Sequence, residues 1–372
     1  KKGIKQIKFY EISNRKKAIY KAIDKLNTGE LLLVAGKGHE KIQDYGKRKL
    51  FFSDKKEILE SIKLKNKFLS KDLKLNIIKE ESNSKISNKL IIKNISINSK
   101  LIKKNDVFFA IKGKKVDGNK FSGEALKKKS SLVIVNRLNN NYPLSKQIRV
   151  KNTLNFLTKC SSIFRENINA NIISITGSCG KTTLKEMIGT TLKKITKTTF
   201  SPRSFNNKYG VPLSLFNLKQ SDKFGVFEVG MDKKGEIDNL TKIIKPNLGI
   251  ITNISYAHSE NFKNIRQIAD AKAEIMNNIE KNGTIILNGD DHFYNYHKNF
   301  AFKKKLNVIS FSIKNKSSMI KLIKIKKLKN KYELFFNING SSFSFYSFSN
   351  NKNNLYNLLA TLATINFYFD LS

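Results

Sequence analysis

Residues 172–186 read IISITGSCGKTTLKE: an apolar run, a turn of small residues closing on Gly180, Lys181 and Thr182, and then a helix-like pattern. The apolar run predicts a buried strand, and the pattern after it predicts a helix. In such a strand–turn–helix the loop N–H groups surround a phosphate, the lysine reaches the β- and γ-phosphates, and the threonine hydroxyl can ligate Mg²⁺. The usual phosphate-loop spacing places another glycine where this chain has Ile175. We therefore expect a tighter loop; the alternative is an ordinary strand–turn–helix.

The composition bounds the class of protein. A chain of 372 residues is long enough for two or three domains, and 40% hydrophobic residues are enough for real cores. No uncharged apolar run reaches the length of a transmembrane helix, and the first residues lack the apolar stretch of a signal peptide. The two cysteines, Cys160 and Cys179, make neither a disulfide framework nor a metal site. A cytoplasmic protein with no transmembrane segment is expected.

The net charge of +42 would ordinarily suggest a nucleic-acid partner. However, the basic residues are nearly all lysine, whereas arginine is the better fork for bases and phosphates. The lysines are also spread through the whole chain beside heavy Asn and Ile usage, a pattern typical of A/T-rich coding bias. We expect no nucleic-acid partner, and binding to a polyanion remains the alternative.

The predicted elements divide the chain into four parts. The first contains an amphipathic helix, a buried strand at 31–36 and a helix near 55–63, and a Lys/Asn/Ser-rich linker follows it. A small α/β module comes next, and then alternating strands and helices predict a parallel sheet flanked by helices. The predicted parts are residues 1–65, the linker 66–88, the module 89–152 and the central α/β domain 153–372. Within the last, strands are predicted at 172–176, 224–229, 248–254 and 284–287, helices at 181–194, 264–280 and 353–367, and short antiparallel strands over 306–348.

Polar side chains follow several strands of the predicted central sheet. Glu228 ends one strand and is a candidate Mg²⁺ ligand, because ligands bind at the carboxyl ends of parallel strands and Mg²⁺ prefers carboxylate oxygens. His258 follows the next strand, where it could reach a second metal or a phosphate. Asn288 and Asp291 follow a third strand and can read an adenine edge or form an Asx turn. Lys272 lies on a predicted helix, where a solvated surface lysine is the alternative.

The order of these motifs resembles the Mur ligase family, in particular its branch that adds D-alanyl-D-alanine (D-Ala-D-Ala) to UDP-N-acetylmuramoyl-tripeptide (UDP-MurNAc-tripeptide). The family has a short phosphate loop, G-x-x-G-K-[ST], which accounts for Ile175. The resemblance rests on TGSCGKTTLKE, SFNNKYGVPLSL (204–215), EVGMDKKGEIDNL (228–240), KPNLGIITNISYAHSE (245–260), IADAKAEI (268–275), LNGDD (287–291) and NNLYNLLATLAT (353–364).

Two further segments resemble parts of the same family. Residues 95–121 resemble the UDP-binding domain, with Asn98-Ser99-Lys100 where the family has D-S-R. Residues 1–63 resemble the final segment of the ligases that add the third amino acid of the stem peptide, in which the residues matching Gly36 and Glu40 contact the incoming diamino acid. The resemblance implies a piece of a fusion of two ligases, with a final Rossmann-like domain expected after residue 372.

The resemblance implies an ATP-dependent ligase that forms an amide through an acyl phosphate, with ATP and Mg²⁺ as cofactors. Its partners would be UDP-MurNAc-tripeptide and D-Ala-D-Ala. Lys181, Glu228, His258 and Lys272 would be catalytic, with Lys272 carbamylated and with Mg²⁺ on Thr182, Glu228 and His258. Asn206, Asn207 and Ser99 would face the substrate. The implied ATP-binding residues are Gly177, Ser178, Cys179, Gly180, Lys181, Thr182, Thr183, Asn288, Asp291 and Asn357. The alternatives are another Mur-type ligase, such as one that is MurE-like or resembles folylpolyglutamate synthase, and a basic non-catalytic nucleic-acid-binding protein. A further alternative is that these 372 residues are inactive without the expected final domain.

Overall fold

The computed structural model describes residues 11–26, 30–36, 40, 42–44, 46, 49–87, 90–113, 115–256 and 261–371. The chain splits into two compact units, Lys1–Leu73 and Lys74–Ser372. Each unit is described by itself below. No helix in the described ranges is long and apolar enough to cross a membrane.

The first unit contains two helices and a short hairpin. Helix α1 spans Arg15–Lys25, strands β1 (Ile42–Asp44) and β2 (Lys49–Phe51) pair antiparallel, and helix α2 begins at Asp54. The Arg15 guanidinium binds the Asp54 carboxylate, with Nε donating to Oδ1 at 2.8 Å, and so joins the starts of the two helices.

The buried strand predicted at 31–36 is wrong. Residues 31–35 have no regular secondary structure, and Leu31 and Leu33 are 100% and 89% exposed. An apolar strand is buried only when a sheet pairs with it and covers it. Among the described residues of this unit, the only strand pairing is that of β1 with β2.

Helix α2 spans Asp54–Ser82, so the predicted helix near 55–63 continues through most of the stretch predicted as a linker. Lysines and asparagines make this stretch look like a linker, but Leu75, Ile77 and Ile78 are 1%, 3% and 0% exposed. Burial of these apolar side chains stabilises the helix here, although the composition of the stretch does not predict one. The division of the chain into the four predicted parts stays a prediction.

The second unit begins with a small parallel sheet, as predicted for the α/β module. Its strand order is β3-β4-β5-β6, and helix α3 (Ser122–Lys127) packs on it. Phe108, Val133 and Val135 form its core with the side chain of Ala125 from α3. The strands are β3 (Ile95–Ser96), β4 (Val107–Phe109), β5 (Leu132–Val135) and β6 (Gln147–Arg149).

The central part is a nine-stranded sheet in the order β15-β14-β13-β12-β11-β10-β7-β9-β8. Its strands are β7 (Asn171–Thr176), β8 (Thr198–Phe200), β9 (Phe224–Glu228), β10 (Leu248–Ile251), β11 (Thr284–Asn288), β12 (Asn307–Ser312), β13 (Ile320–Lys327), β14 (Tyr332–Ile338) and β15 (Ser341–Ser347). Its helices are α4 (Thr153–Glu166), α5 (Lys181–Ile195), α6 (Gly210–Leu215), α7 (Glu236–Ile244), α8 (Ile265–Ala273), α9 (Tyr294–Lys303) and α10 (Lys352–Phe369).

This sheet confirms the mixed α/β fold with a parallel core. All pairings among strands β7 to β13 are parallel. Strands β13, β14 and β15 form an antiparallel meander at one end of the sheet. The prediction of antiparallel strands over 306–348 is therefore wrong for β12, which runs parallel to both of its neighbours. Helices α5 and α10 pack together, and their Leu184, Ile188 and Leu359 enter the main core beside Ile173 and Ile175 of β7.

Candidate functional site

The loop between β7 and α5 makes a tight turn that depends on two glycines. Gly177 has φ +148° and Gly180 has φ +83°, both in the region that favours glycine. A Cβ atom on Gly177 would lie 1.9 Å from Thr252 Oγ1, so no larger residue fits. Ile175 is fully buried inside the strand before this turn, as expected for a loop shorter than the general phosphate loop.

The first turn of α5 presents backbone donors without a side-chain cap. The first N–H groups of a helix lack intrahelical acceptors and are a ready site for an anion. Two other loop donors are already used: Ser178 N donates to Asn253 O at 2.9 Å, and Cys179 N donates to Asn253 Oδ1 at 3.0 Å. Asn253 thus braces the loop. Sequence reasoning missed this residue, although it follows the end of β10.

Lys181 lies at the start of α5 and bends back over the loop. Its Nζ donates to Gly177 O at 2.8 Å. Burial lowers the pKa of this amine, and the nearby Glu228 carboxylate partly opposes that shift. Lys181 also lines the wide cleft described below.

The Glu228 carboxylate, 1% exposed, is the most deeply buried acidic group of the site. Its Oε2 accepts a hydrogen bond from the Thr182 hydroxyl at 2.8 Å, and its Oε1 accepts one from Asn206 Nδ2 at 2.6 Å. The partners lie close because β9 pairs with β7, with Glu228 opposite Ile175. No lysine, arginine or histidine of the described residues forms an ion pair with this carboxylate.

The oxygen atoms of Glu228 and Thr182 are suitable ligands for a magnesium ion. A buried carboxylate and a hydroxyl beside a phosphate loop are hard oxygen ligands, and Mg²⁺ in such sites takes few protein ligands and relies on phosphates and water. Within the described ranges, no group of three or more His, Cys, Asp or Glu side chains is arranged to hold a metal ion. His258 lies outside those ranges, so its role as a metal ligand stays a prediction.

Lys272 of α8 is 2% exposed and makes no hydrogen bond or ion pair with its side chain among the described residues. Burial, and next the positive charge of Lys181, lower the pKa of its amine to about 7. The surface-lysine alternative is therefore wrong. Two residues further on, the buried Glu274 accepts hydrogen bonds from Gly235 N at 2.7 Å and Asp238 N at 3.2 Å. Sequence reasoning missed this carboxylate, which caps the start of α7.

Four further residues predicted to bind ATP lie near the same loop. The Asn357 amide of α10 faces Gly180, where a Cβ atom would lie 3.0 Å from its Oδ1. Asn288 Nδ2 donates to Thr252 O at 3.2 Å, and Asp291 Oδ2 accepts from Ile254 N at 2.7 Å. These bonds tie the ends of β10 and β11 together. Thr183 is exposed in the first turn of α5.

A cleft of about 760 Å³ opens beside Lys181. Asn206 and Asn207 both line it. Asn207 Oδ1 accepts hydrogen bonds from Tyr209 N and Gly210 N, both at 3.0 Å, and thereby shapes the start of α6. Ser99 lies instead at the small sheet, where its hydroxyl donates to Glu124 Oε2 at 2.7 Å. It does not line this cleft.

Gly36 and Glu40 belong to the first unit. Gly36 has φ +106°, and both residues are exposed. The residues between them, 37–39, lie outside the described ranges. The role of this segment in holding a diamino acid stays a prediction.

A parallel sheet with a glycine turn at an uncapped helix start, beside a buried carboxylate and hydroxyl, is the architecture of a nucleotide-phosphate-binding α/β protein. Two family models match the chain: the Mur ligase middle domain over residues 175–365, and the Mur ligase family catalytic domain over residues 91–165. The chain belongs to the Mur ligase family.

The chain is similar to several UDP-N-acetylmuramoyl-tripeptide–D-alanyl-D-alanine ligases. The chain is 36% identical over 261 residues to the UDP-N-acetylmuramoyl-tripeptide–D-alanyl-D-alanine ligase of Buchnera aphidicola, covering 68% of this chain and 53% of that protein. It therefore spans about half the length of such relatives. A crystal structure of MurF from Acinetobacter baumannii matches 78% of this chain and 64% of its own, with TM-score 0.70 and 26% identity. The crystal structure of a MurF ligase from Thermotoga maritima in complex with ADP matches 76% of this chain and 64% of the Thermotoga chain, with TM-score 0.66 and 26% identity.

Proposed function

We propose that the chain carries the ATP-binding and substrate-facing parts of a MurF-type ligase, which joins D-Ala-D-Ala to UDP-MurNAc-tripeptide in peptidoglycan precursor synthesis in the cytoplasm. The observation that carries the proposal is the Glu228 carboxylate, which is buried, forms no ion pair with any described residue and accepts a hydrogen bond from Thr182 at the uncapped start of α5. The similarity to MurF ligases supports the choice of substrates, and the ADP complex of one of them supports the nucleotide.

The reaction follows from the chemistry of a carboxylate. A carboxylate has no usable leaving group, so an amine cannot displace one of its oxygens in water. Transfer of the γ-phosphoryl group of ATP to the peptide carboxylate gives an acyl phosphate and ADP. The amine of D-Ala-D-Ala then attacks the acyl carbon, phosphate leaves, and the amine gives up a proton. Two anions meet in the first step, so catalysis requires charge neutralisation and positioning.

The residues of the loop supply that neutralisation. The amides of the first turn of α5 and the Lys181 ammonium would hold the phosphates, and Asn253 holds the loop that presents them. Glu228 and Thr182 would hold Mg²⁺, and His258 would hold a second ion. Bound Mg²⁺ would neutralise charge on the transferring phosphoryl group. The peptide end of the substrate would enter the cleft lined by Lys181, Asn206 and Asn207.

Lys272 is the candidate for carbamylation. A neutral amine attacks CO₂, a nitrogen–carbon bond forms and a proton is released, which turns a cation into an anionic oxygen ligand. A pKa of about 7 keeps a large fraction of this amine neutral, and no carboxylate of the described residues holds it as a salt-bridged cation. Nuclear magnetic resonance with ¹³C-bicarbonate should show a carbamate signal that Lys272→Met removes. A signal unchanged in that variant would reject the assignment.

The first unit remains the candidate for the end of a MurE-type ligase that precedes the MurF-type part in one polypeptide. Its support is the sequence resemblance of residues 1–63, which includes Gly36 and Glu40. Binding of a diamino acid to the chain, lost in Glu40→Gln, would support a fusion. Equal binding by that variant would contradict this role of Glu40.

The proposed function is tested by phosphate release with ATP, Mg²⁺, UDP-MurNAc-tripeptide and D-Ala-D-Ala. Release is expected to require both substrates and to disappear in Lys181→Ala, while Lys193→Ala, an exposed lysine on the same helix, stays active. Phosphate release that is equally fast with glutamate in place of D-Ala-D-Ala would favour another Mur-type ligase. Salt-sensitive DNA binding unaffected by Lys181→Ala, without phosphate release, would favour the nucleic-acid alternative.

A further inference from the structure

Lys185 is a buried charge that the proposed phosphate site does not use. It lies one turn after Thr182 on α5 and its side chain is fully inaccessible to solvent. Its Nζ donates to the backbone carbonyl of Arg203 at 2.5 Å and pairs with Glu186 Oε1 at 2.9 Å. Burying an ammonium costs several kcal/mol unless its partners compensate, whereas methionine or leucine would fill the same volume without that cost. The contact with Arg203 is therefore the feature that the lysine adds.

The Arg203 carbonyl belongs to a loop, residues 201–206, whose first and last residues form hydrogen bonds with Glu228. Arg203 has φ +46°, a conformation that non-glycine residues adopt only when their surroundings hold them there. At the start of this loop Ser201 Oγ accepts from Glu228 N at 3.4 Å, and at its end Asn206 Nδ2 donates to Glu228 Oε1 at 2.6 Å. Lys185 holds the middle of the loop that places the Asn206 amide on the carboxylate.

Helix α5 therefore fixes both oxygens of Glu228. The Thr182 hydroxyl bonds Oε2 directly, and Lys185, on the same face one turn later, fixes Oε1 through the loop and Asn206. With Oε1 fixed by Asn206, Oε2 and the Thr182 hydroxyl are the oxygens left for a cation.

We propose that Lys185 is a positioning residue, which acts through Arg203 and Asn206 to aim the Glu228 carboxylate at magnesium. This inference rests on the proposed function, because it requires that the chain bind a magnesium nucleotide. It predicts a specific defect: removing the ammonium weakens the use of Mg²⁺ but leaves the contacts of Lys181 and the loop amides with the nucleotide.

The test measures binding of fluorescent N-methylanthraniloyl-ADP to the whole chain, in EDTA and over a series of Mg²⁺ concentrations. Lys185→Met is expected to raise the half-saturating Mg²⁺ concentration about tenfold and to leave the affinity in EDTA within twofold of wild type. Asn206→Ala should give the same rise, and the double variant should be no worse than either, because both changes break one chain of contacts. Glu186→Gln, which removes only the half-exposed partner of the same ammonium, should match wild type.

Unchanged Mg²⁺ dependence in Lys185→Met, or effects of Lys185→Met and Asn206→Ala that multiply, would overturn the proposal. Equal losses in EDTA and in Mg²⁺ would also overturn it, because they would indicate general damage to the fold. If Lys185→Met does not fold, Lys185→Arg carries the test: its wider head must displace the Arg203 carbonyl and raise the half-saturating concentration at least threefold. Wild-type protein that binds no nucleotide would instead reject the proposed function.

Discussion

Lys272→Met should stabilise the protein at neutral pH, because Lys272 is buried and no described residue forms an ion pair with it. Its amine has a pKa of about 7 in the folded chain, against the ordinary value of 10.5. Between these values the unfolded chain binds more protons than the folded one, so this group makes the free energy of unfolding rise with pH. The linkage relation gives a penalty to the folded wild type of about 4 kcal/mol at pH 7 and about 1 kcal/mol at pH 9.5.

Urea unfolding followed by circular dichroism at pH 7, 8 and 9.5 measures this difference. Buffers must be free of CO₂, because a carbamate would remove the penalty from the wild type. The stability advantage of Lys272→Met should shrink by about 3 kcal/mol from pH 7 to pH 9.5. Lys193→Met, an exposed lysine of α5, should show no such pH dependence relative to wild type. Free energies of unfolding that change with pH in the same way in wild type and Lys272→Met would show that the pKa of Lys272 is not lowered by burial.

Three further substitutions test other contacts. Gly177→Ala should abolish nucleotide binding in a calorimetric titration, because its Cβ would collide with Thr252 Oγ1. Gly340→Ala is the control: Gly340 also has a positive φ, +101°, but has open space around it, so this variant should lose only about 1 kcal/mol of stability. Arg165→Met removes a buried guanidinium that donates to three backbone carbonyls. Because it leaves these buried acceptors without a donor, it should lower the free energy of unfolding by about 1–3 kcal/mol in urea. A loss well under about 1 kcal/mol would count against the network. Glu274→Ala removes the cap of α7 and should lower that free energy by about 1–2 kcal/mol, and wild-type stability would contradict the capping role.

The sequence was sufficient for the elements of the central sheet that carry strong local patterns. Ile172, Ile173 and Ile175 form an apolar run, and a glycine turn and an amphipathic helix follow at once, so β7, the loop and α5 are predictable from local signals. The contact between Thr182 and Glu228 is predictable too, because the carboxyl ends of neighbouring parallel strands meet at one edge of the sheet. The order of motifs added the family.

Other features depend on contacts that local patterns do not encode. Asn253 braces the loop 74 residues before it, and Lys185 is indistinguishable in sequence from the many solvated lysines of this chain. The apolar residues of α2 stand among lysines and asparagines, so the composition of this stretch predicts a linker instead of a helix. Conversely, Leu31 and Leu33 predict a buried strand, but the described residues of the first unit provide no sheet to cover them.

We propose that the turn at Gly177–Thr182 is a phosphate loop that works with Glu228 in a magnesium-dependent ligase. Isothermal titration of the chain with ATP, with and without Mg²⁺, tests this proposal. We predict one site per chain, strengthened by Mg²⁺ in wild type, insensitive to Mg²⁺ in Glu228→Gln and absent in Lys181→Ala. Binding that is equal in wild type, Glu228→Gln and Lys181→Ala would contradict the claim.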